Sequence, residues 1–315
     1  MQRATATGTG KYEALLERCH SLAPVPTAVA YPCEESALAG SVEAAQHKLI
    51  TPILVGPAAK ITETARSAKV DITGLEVIDI PDAHAAAERA VALIREGRAE
   101  VLMKGSLHTD ELLSAVVSRE KGLRTGRRIS HVFLMDVPTY HKVLVVTDAA
   151  INIAPSLEDK VDICQNAIDL AISLGLKQPK VALLAAVETV NSKMPATLDA
   201  AALCKMAERG QIKGGVLVGP LAFDNAISLE AARTKGIKSE VAGDPDILVA
   251  PDLEAGNIIA KLLSFLARAD SAGLVIGARV PIILTSRADS VRARIASSAV
   301  AMLAAHARRT APAAR

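Results

Sequence analysis

The chain has 315 residues, a formal net charge of +2 and a hydrophobic fraction of 50%, with no tryptophan and only three tyrosines and three phenylalanines. Acidic and basic residues are interspersed, so nothing indicates an electrostatic surface for nucleic acid or for a membrane. The scarcity of aromatic side chains argues against a base-stacking platform. The length and the apolar content allow a sizeable core and two lobes.

Two further features predict the location of the protein. No apolar run reaches the roughly 20 residues of a membrane-spanning helix, and residues 1–19 lack the apolar stretch of a secretory signal. The cysteines are scattered without a CxxC pair, which is typical of free thiols in a reducing compartment. We therefore expect a cytoplasmic protein. The cysteines are Cys19, Cys33, Cys164 and Cys204.

Ten short apolar runs predict β-strands. Most of them are continuous rather than alternating, which is typical of strands that are covered on both faces. Amphipathic segments separate many of the runs, and this alternation predicts an α/β fold with mostly parallel sheets and helices on both faces. The runs lie at 51–56, 75–80, 100–105, 131–136, 142–148, 180–186, 214–220, 247–252, 273–277 and 280–286.

The clearest predicted helix follows Ser156. Ser156 and Asp159 have the spacing of a capping box, and Gly175 stands where a helix end is expected. So many strands favour two lobes over one open sheet, and the break at 138–140 is a candidate boundary. We predict one lobe from 1–138 plus 285–315 and a second lobe from 139–284.

Several common catalytic motifs are missing. The segment GTGKY imitates a phosphate-binding loop but lacks its first glycine and its Ser or Thr, and no GxGxxG follows a predicted strand. There is no GxSxG, and the histidines form no HxxxH or HxH pair. We therefore expect no metal ion and no bound cofactor.

Polar residues gather instead at the carboxyl ends of predicted strands, where open α/β sheets bind ligands. The first group follows the run 100–105. Lys104 ends the strand, Gly105 allows close backbone approach, and a helix begins near Thr109 or Asp110. Free backbone amides at this helix start, beside Lys104, would suit a phosphate. The alternative is an ordinary turn in which Thr109 or Asp110 is the N-cap.

The next two groups have simpler alternatives. Asp148 ends the run 142–148 and Asn152 follows it, and turn chemistry alone explains both residues. Asp252, Glu254 and Asn257 crowd the start of a helix, where the helix dipole favours the two acids.

The last group lies in VPIILTSRADS, residues 280–290. Ser286 and Arg287 at a strand end could bind an oxyanion or a phosphate, and Asp289 could cap the next helix.

A basic stretch at 119–128 contains Arg127 and Arg128. It is either a solvated loop or a clamp for a ligand with several phosphates.

In chain order, these groups resemble the phosphate acetyltransferase and phosphate butyryltransferase family. The segments that carry the resemblance span nearly the whole chain, and DNAIS and TSRADS lean towards the butyryl-type branch. The most specific are PDLEAGN and the strand that ends in Ser-Arg about 30 residues later. The other segments are KGSLHTDELLSAVV, TDAAINIAPSLEDKVDICQNAIDL and GPLAFDNAIS.

The resemblance implies a two-lobed α/β fold related to isocitrate and isopropylmalate dehydrogenases, with the active site in the cleft between the lobes. It implies reversible transfer of a short acyl group, acetyl to butyryl, between coenzyme A and inorganic phosphate, giving acyl phosphate and free coenzyme A. Coenzyme A and acyl-CoA would be substrates rather than cofactors. It also implies a homo-oligomer, a dimer or larger.

The resemblance also implies roles for single residues. Arg287 would neutralise phosphate, and Ser286 would orient the reacting groups. The acetyltransferase branch has an Asp seven residues after that Ser, proposed to deprotonate the thiol, but this chain has Ala293 there. Either Asp289 or another carboxylate takes this role, or the thiol ionises without a dedicated base. The expected substrate-binding residues are Lys104, Gly105, Ser106, Thr109, Arg127, Arg128, Asp148, Asn152, Asp252, Glu254 and Asn257.

Two other functions stay open from the sequence. A metal-dependent dehydrogenase on the same scaffold would need a metal cluster, for which Asp148, Asp252 and Glu254 are the candidates. A catalytically inactive homologue that binds acyl-CoA would explain Ala293.

Overall fold

The computed structural model describes residues 10–285 and 289–310. In this part of the chain, one hydrogen-bonded sheet of eleven strands carries helices on both faces. The strands are β1 Val25–Ala30, β2 Ile50–Gly56, β3 Glu76–Asp79, β4 Val101–Lys104, β5 Ser130–Asp136, β6 Leu144–Thr147, β7 Lys180–Leu184, β8 Val216–Leu221, β9 Ile247–Val249, β10 Asp270–Ile276 and β11 Ile282–Ile283. The helices are α1 Lys11–Cys19, α2 Glu35–Gln46, α3 Ala58–Ala68, α4 Ala83–Arg95, α5 Thr109–Val117, α6 Leu157–Ser173, α7 Pro195–Glu208, α8 Phe223–Ile227, α9 Leu229–Thr234, α10 Leu253–Phe265 and α11 Val291–Thr310.

The strand order is β3-β2-β1-β4-β11-β10-β5-β6-β9-β7-β8. The first five strands in this order are parallel, and so are the last four. Between them, β10 and β5 make the antiparallel pairings. The predicted α/β class with mostly parallel strands is therefore confirmed. The predicted lobe boundaries fall after β5 and after β11, and the division at these residues stays a prediction.

The strands of the two halves end at a common level. Leu274 of β10 lies opposite Ile283 on one side and opposite Val132 of β5 on the other, and Val132 lies opposite Thr147. Ile283 and Thr147 are the last residues of β11 and β6, which run in opposite directions. The carboxyl ends of strands from both halves therefore approach one another at the middle of the sheet, where α/β proteins bind ligands.

The apolar core is continuous on one face of the sheet and divided on the other. On one face, a continuous core that includes Ile163 runs beneath α2, α11, α6 and α7. On the other face there are two cores, one with Leu102 and Leu112 and one with Met135 and Leu248. The gap between these two cores leaves space above β5 and β10. Among the described helices, none is both long and apolar enough to span a bilayer.

All ten predicted strands are present, and one further strand was missed. β1 has the sequence VPTAVA, and its Pro26 and alanines are weak strand formers. The strand is nonetheless almost fully buried because it lies between β2 and β4. β11 is shorter than predicted, since among the described residues 280–285 only Ile282 and Ile283 form ladder pairs.

Candidate active site

A cavity of about 660 Å³ lies in the gap between the two cores, and we call it the central cavity. Its walls come from the end of β4, the start of α5, β5, α10, the start of β10, and the chain that links β11 to α11. Its volume is within the usual range for small-molecule sites. The polar lining residues that bear on the predicted chemistry are Lys104, Thr109, His131, Asn257 and Asp289.

Lys104 lies where β4 ends at the cavity. The residue is only 9% exposed, and its Nζ donates to the carbonyl oxygens of Gly105 and Leu107, both at 3.2 Å. An ammonium group with so little contact with water is costly unless anionic or carbonyl oxygens surround it. Lys104 is therefore suited to holding an anion at this wall of the cavity.

Gly105 and Ser106 fix the turn after β4 rather than lining the cavity. A Cβ atom at Gly105 would lie 2.3 Å from the carbonyl oxygen of Ala30 and 2.5 Å from that of Tyr31. Ser106 Oγ donates to the Tyr31 carbonyl at 2.7 Å and accepts from the Cys33 amide at 3.0 Å. Both residues thus tie the end of β4 to the turn after β1, which aims Lys104 and α5.

The start of α5 forms the adjoining wall. The N-cap is His108, not Thr109 or Asp110, and the Glu111 carboxylate accepts from the His108 amide at 2.8 Å. Thr109 is the first helical residue, and it is half-buried at the cavity. Amides in the first turn of a helix have no partner within the helix, so this wall favours an anion beside Lys104.

Asp148 and Asn152 organise the turn after β6. The buried Asp148 carboxylate accepts from the amides of Ala150, Ile151 and Asn152 at 3.0–3.1 Å, and also from the Asn152 side chain. Neither Asp148 nor Asn152 lines the central cavity. These hydrogen bonds within the turn explain why both residues are buried. Contact of either residue with substrate stays a prediction.

The three polar residues at the start of α10 have different surroundings. Asp252 is the N-cap and accepts from the Ala255 amide at 2.9 Å, and Glu254 is exposed. Only Asn257 lines the cavity, where its Nδ2 donates to the Ala149 carbonyl at 3.0 Å. A Cβ at Gly256 would lie 2.2 Å from the Asp148 carbonyl, so Gly256 lets α10 approach the turn after β6.

The arginines of the basic stretch are engaged outside the cavity. Arg127 pairs with Asp169, while Arg128 donates from Nε to Asn152 at 2.8 Å and lies 3.4 Å from Asp159. Both arginines are exposed, and neither lines the central cavity. Their expected contact with the phosphates of coenzyme A stays a prediction.

The link between β11 and α11 contains the residues expected to carry the chemistry. Ser286 and Arg287 lie outside the described residues. Asp289 is half-buried at the cavity, and Ala293 also lines it. Ser290 rather than Asp289 caps α11, because its Oγ accepts from the Ala293 amide at 3.1 Å.

His131 is a cavity residue that the sequence reasoning did not single out. It lies in β5, is 1% exposed, and its ring centroid is 4.4 Å from that of Phe133. Burial lowers the pKa of His131 to about 4, although the nearby Asp148 carboxylate acts in the opposite direction. The sequence feature that could have identified His131 is a titratable side chain within a continuous run of apolar residues.

The residues proposed for a metal cluster have other roles. Asp148 fixes a turn, Asp252 caps α10, and Glu254 is exposed. Within residues 10–285 and 289–310, no three His, Cys, Asp or Glu side chains are grouped so that they could hold a metal ion.

Comparison with solved structures agrees with this architecture. A branched-chain phosphotransacylase from Enterococcus faecalis V583 superposes with a TM-score of 0.78 at 30% identity, covering 90% of this chain and 99% of that one. A 4-hydroxythreonine-4-phosphate dehydrogenase from Burkholderia phymatum gives a TM-score of 0.53 at 14% identity, covering 90% and 98%. The second likeness concerns the fold alone, and it agrees with the expected dehydrogenase-like scaffold.

Sequence comparison identifies the family. The chain is 64% identical over 301 residues to a phosphate acetyltransferase of Rhizobium meliloti, covering 96% of this chain and 95% of that protein. It is 42% identical over 294 residues to a phosphate butyryltransferase of Clostridium beijerinckii, covering 93% and 97%. Identity is thus higher to the acetyltransferase, and the butyryl-type branch stays a prediction. Residues 82–302 match the family described as "Phosphate acetyl/butaryl transferase". The chain therefore belongs to the phosphate acetyl/butyryl transferase family.

Proposed function

We propose that the protein transfers a short-chain acyl group reversibly between coenzyme A and inorganic phosphate. The observation that carries the proposal, in a chain of this family, is the buried Lys104 ammonium beside the first turn of α5. These two anion-binding features share one wall of the central cavity, and apolar side chains such as Leu107 and Leu284 lie next to them. Such a cavity can hold phosphate and an uncharged thioester together.

The reaction needs no covalent link to the protein. An oxygen of hydrogen phosphate attacks the thioester carbon, the carbon–sulfur bond breaks, and the phosphate proton ends on the coenzyme A sulfur. Much of the rate would come from holding the two substrates in line and from stabilising the oxyanion. Burial raises the pKa of the Cys33 thiol to about 11 and that of Cys164 to about 12, which disfavours a cysteine nucleophile.

Six of the expected site residues have a role in this proposal. Lys104 and Arg287 bind phosphate, and Ser286, Thr109 and Asn257 position the acyl group. In the reverse direction Asp289 takes the thiol proton, because it lines the same cavity as Ala293. A coenzyme A thiol with an ordinary pKa is already a few per cent thiolate at neutral pH, so a weak base suffices.

We also propose a homo-oligomer and a cytoplasmic location. α10 and its C-cap residue Leu266 expose an apolar stripe that also contains Ile258, Leu262 and Phe265. Phe265 and Leu266 are each 77% exposed. A contiguous apolar surface of this kind is typical of an interaction site, and a second copy of the chain is the partner that the family resemblance implies. The free state of all four cysteines supports a reducing compartment.

The proposed function is tested by measuring thiol release from acetyl-, propionyl- and butyryl-CoA, with and without phosphate. We expect release that requires phosphate strictly and is lost in Arg287→Ala. The preferred substrate would decide the branch. Binding of acyl-CoA without phosphate-dependent release would instead support the inactive homologue.

A further inference from the structure

The imidazole of His131 forms part of the floor of the central cavity. His131 and Phe133 lie on the same face of β5, and their rings pack over Gly273 of β10. A Cβ at Gly273 would lie 3.2 Å from His131 Nε2 and 3.3 Å from the Phe133 ring. The missing side chain at Gly273 therefore makes room for both rings below the cavity.

The Nδ1 atom of His131 has no hydrogen-bond partner among the described residues, although the residue is 1% exposed. Buried polar atoms nearly always have a partner, and leaving one unsatisfied costs roughly 1–3 kcal/mol. His131 also lines the central cavity, although its Nδ1 atom is closed to water in this structure. A ligand in the cavity can supply the missing partner once the imidazole turns about its Cβ–Cγ bond. Asn225 Oδ1 is also buried without a described partner, but Asn225 does not line the cavity.

The protonation state of the His131 ring determines which kind of ligand atom suits it. The ring is neutral at physiological pH, because burial disfavours the imidazolium. A neutral imidazole can donate one N–H without bringing a charge into a dry site. Phosphate is better matched to the Lys104 wall, where the positive charge lies. The partner that suits His131 is an uncharged oxygen that becomes negative during the reaction.

We propose that Nδ1–H of His131 donates a hydrogen bond to the acyl carbonyl oxygen and stabilises the oxyanion formed on that atom during transfer. The phosphate oxygen forms its bond to the acyl carbon, the carbonyl electrons move onto the oxygen, and they return as the carbon–sulfur bond breaks. His131 neither gains nor loses a proton in the cycle. This role rests on the proposed function and adds a catalytic residue to it.

The test compares substitutions that keep or remove the donor. Asn places an amide N–H near the former Nδ1, whereas Leu keeps the bulk without a donor. We expect His131→Leu to lower kcat by about 10²–10³-fold, as loss of one oxyanion donor does, with the KM for phosphate changed less than about threefold. His131→Asn should stay within about tenfold of wild type.

A control separates this effect from damage to β5. Val132→Ala removes buried volume from the same strand on the opposite face, so it should lower the melting temperature and leave kcat unchanged. A folded His131→Leu enzyme whose kcat stays within about threefold of wild type would overturn the proposal.

A second measurement works on the wild-type protein if His131→Leu does not fold. In ¹⁵N-histidine NMR, the Nδ1 resonance of His131 should move when butyryl-CoA binds without phosphate and should stay in place with phosphate alone. A resonance that does not respond to butyryl-CoA would overturn the role of His131. The proposed function and the role of His131 are tested separately. A wild-type enzyme without phosphate-dependent turnover would contradict the proposed function, whereas the Nδ1 resonance reports on His131 alone.

Discussion

At the residue scale, Lys104 is where the strand end, the helix start and the cavity meet. Lys104→Met keeps most of the side-chain length and removes the charge. A charge-assisted hydrogen bond contributes about 1.5–3 kcal/mol, so we expect the KM for phosphate to rise about 10- to 100-fold. Initial rates at varied phosphate concentration measure this. Lys205→Met on the exposed face of α7 is the control, and an equal effect in both variants would contradict the assignment.

Gly105 provides a second test at this scale. Ala at this position would push its methyl group against the Ala30 and Tyr31 carbonyls, so we expect a loss of about 1–3 kcal/mol in unfolding free energy. Gly126→Ala is the matched control, because a Cβ there meets no atom within 4 Å. Urea unfolding of both variants measures the difference, and similar stabilities would contradict the close approach.

The position of each polar residue was predictable only where local sequence determines it. Lys104, Thr109, Asn257 and Asp289 follow strand ends, and that pattern led to the cavity they line. The pairing of Arg127 with Asp169 joins residues 42 apart, and no local pattern reports it. His131 was missed for a similar reason, since its surroundings depend on the neighbouring strand β10.

At the element scale, Arg292 connects the first turn of α11 to β10 and to α1. Arg292 donates from Nε to Asp270 at 2.6 Å, lies 3.1 Å from Glu13, and stacks on Tyr12 of α1 with 3.6 Å to the ring centroid. Asp270 itself lines the cavity. These contacts hold the segment that carries Asp289 against β10.

Removing this fastening should affect catalysis more than stability. We expect Arg292→Met to lower kcat by about three- to tenfold, because small displacements of positioned groups slow the reaction. Arg309→Met breaks a comparable pair with Glu100 at the other end of α11. It should cost under about 1 kcal/mol of stability and leave kcat unchanged. Equal kcat in the two variants would contradict a positioning role for Arg292.

Elements with strong local signals were predictable, whereas β1, which has no such signal, was not. The capping box of α6 is confirmed, with Ser156 Oγ 3.2 Å from the Asp159 amide and Asp159 Oδ2 3.0 Å from the Ser156 amide. β1 was missed because its sequence has low strand propensity, and its stability comes from pairing with β2 and β4.

At the scale of the whole molecule, the buried neutral imidazole makes stability depend on pH. The pKa of His131 is about 4 in the folded protein and ordinarily 6.5, so between these values the unfolded chain binds a proton that the folded chain does not. Stability should therefore fall as the pH is lowered through this window, by about 2–3 kcal/mol from pH 7 to 4.5.

Urea unfolding at pH 7 and 4.5 measures this loss, and His131→Gln should lose less stability than wild type between the two values. The exposed His47→Gln is the control and should match wild type. Burial acts against the ionisation of Asp244, but hydrogen bonds from Lys180 and Lys142 hold the pKa of its carboxyl group at about 2. Protonation of Asp244 therefore destabilises the protein only below this pH window. An unchanged pH dependence in His131→Gln would contradict the neutral buried ring.

The apolar stripe on α10 makes a prediction about assembly. Leu262→Glu together with Leu266→Glu should lower the mass measured by analytical ultracentrifugation to that of a single chain, because charges at an apolar interface are costly. Leu198→Glu on α7 changes a similarly exposed leucine and should keep the wild-type mass. The same mass for all three proteins would exclude the stripe as the interface.

The sequence predicted the α/β class and most strands, but not the order of the sheet. β10 and β11 return to the middle, where Ile283 lies beside Met103 of β4, about 180 residues earlier in the chain. Local periodicity carries no information about that neighbour. The level at which β6 and β11 end, and hence the position of the central cavity, follows only from these pairings.

The product balance of the reaction tests the central claim most directly. The best of the three acyl-CoA substrates is incubated with phosphate, acyl phosphate is measured by ³¹P NMR, and free coenzyme A is measured by thiol titration in the same sample. Acyl transfer to phosphate predicts one acyl phosphate for each free thiol, and no thiol when phosphate is omitted. Thiol release without acyl phosphate would mean that water is the acceptor, and it would contradict the proposed function.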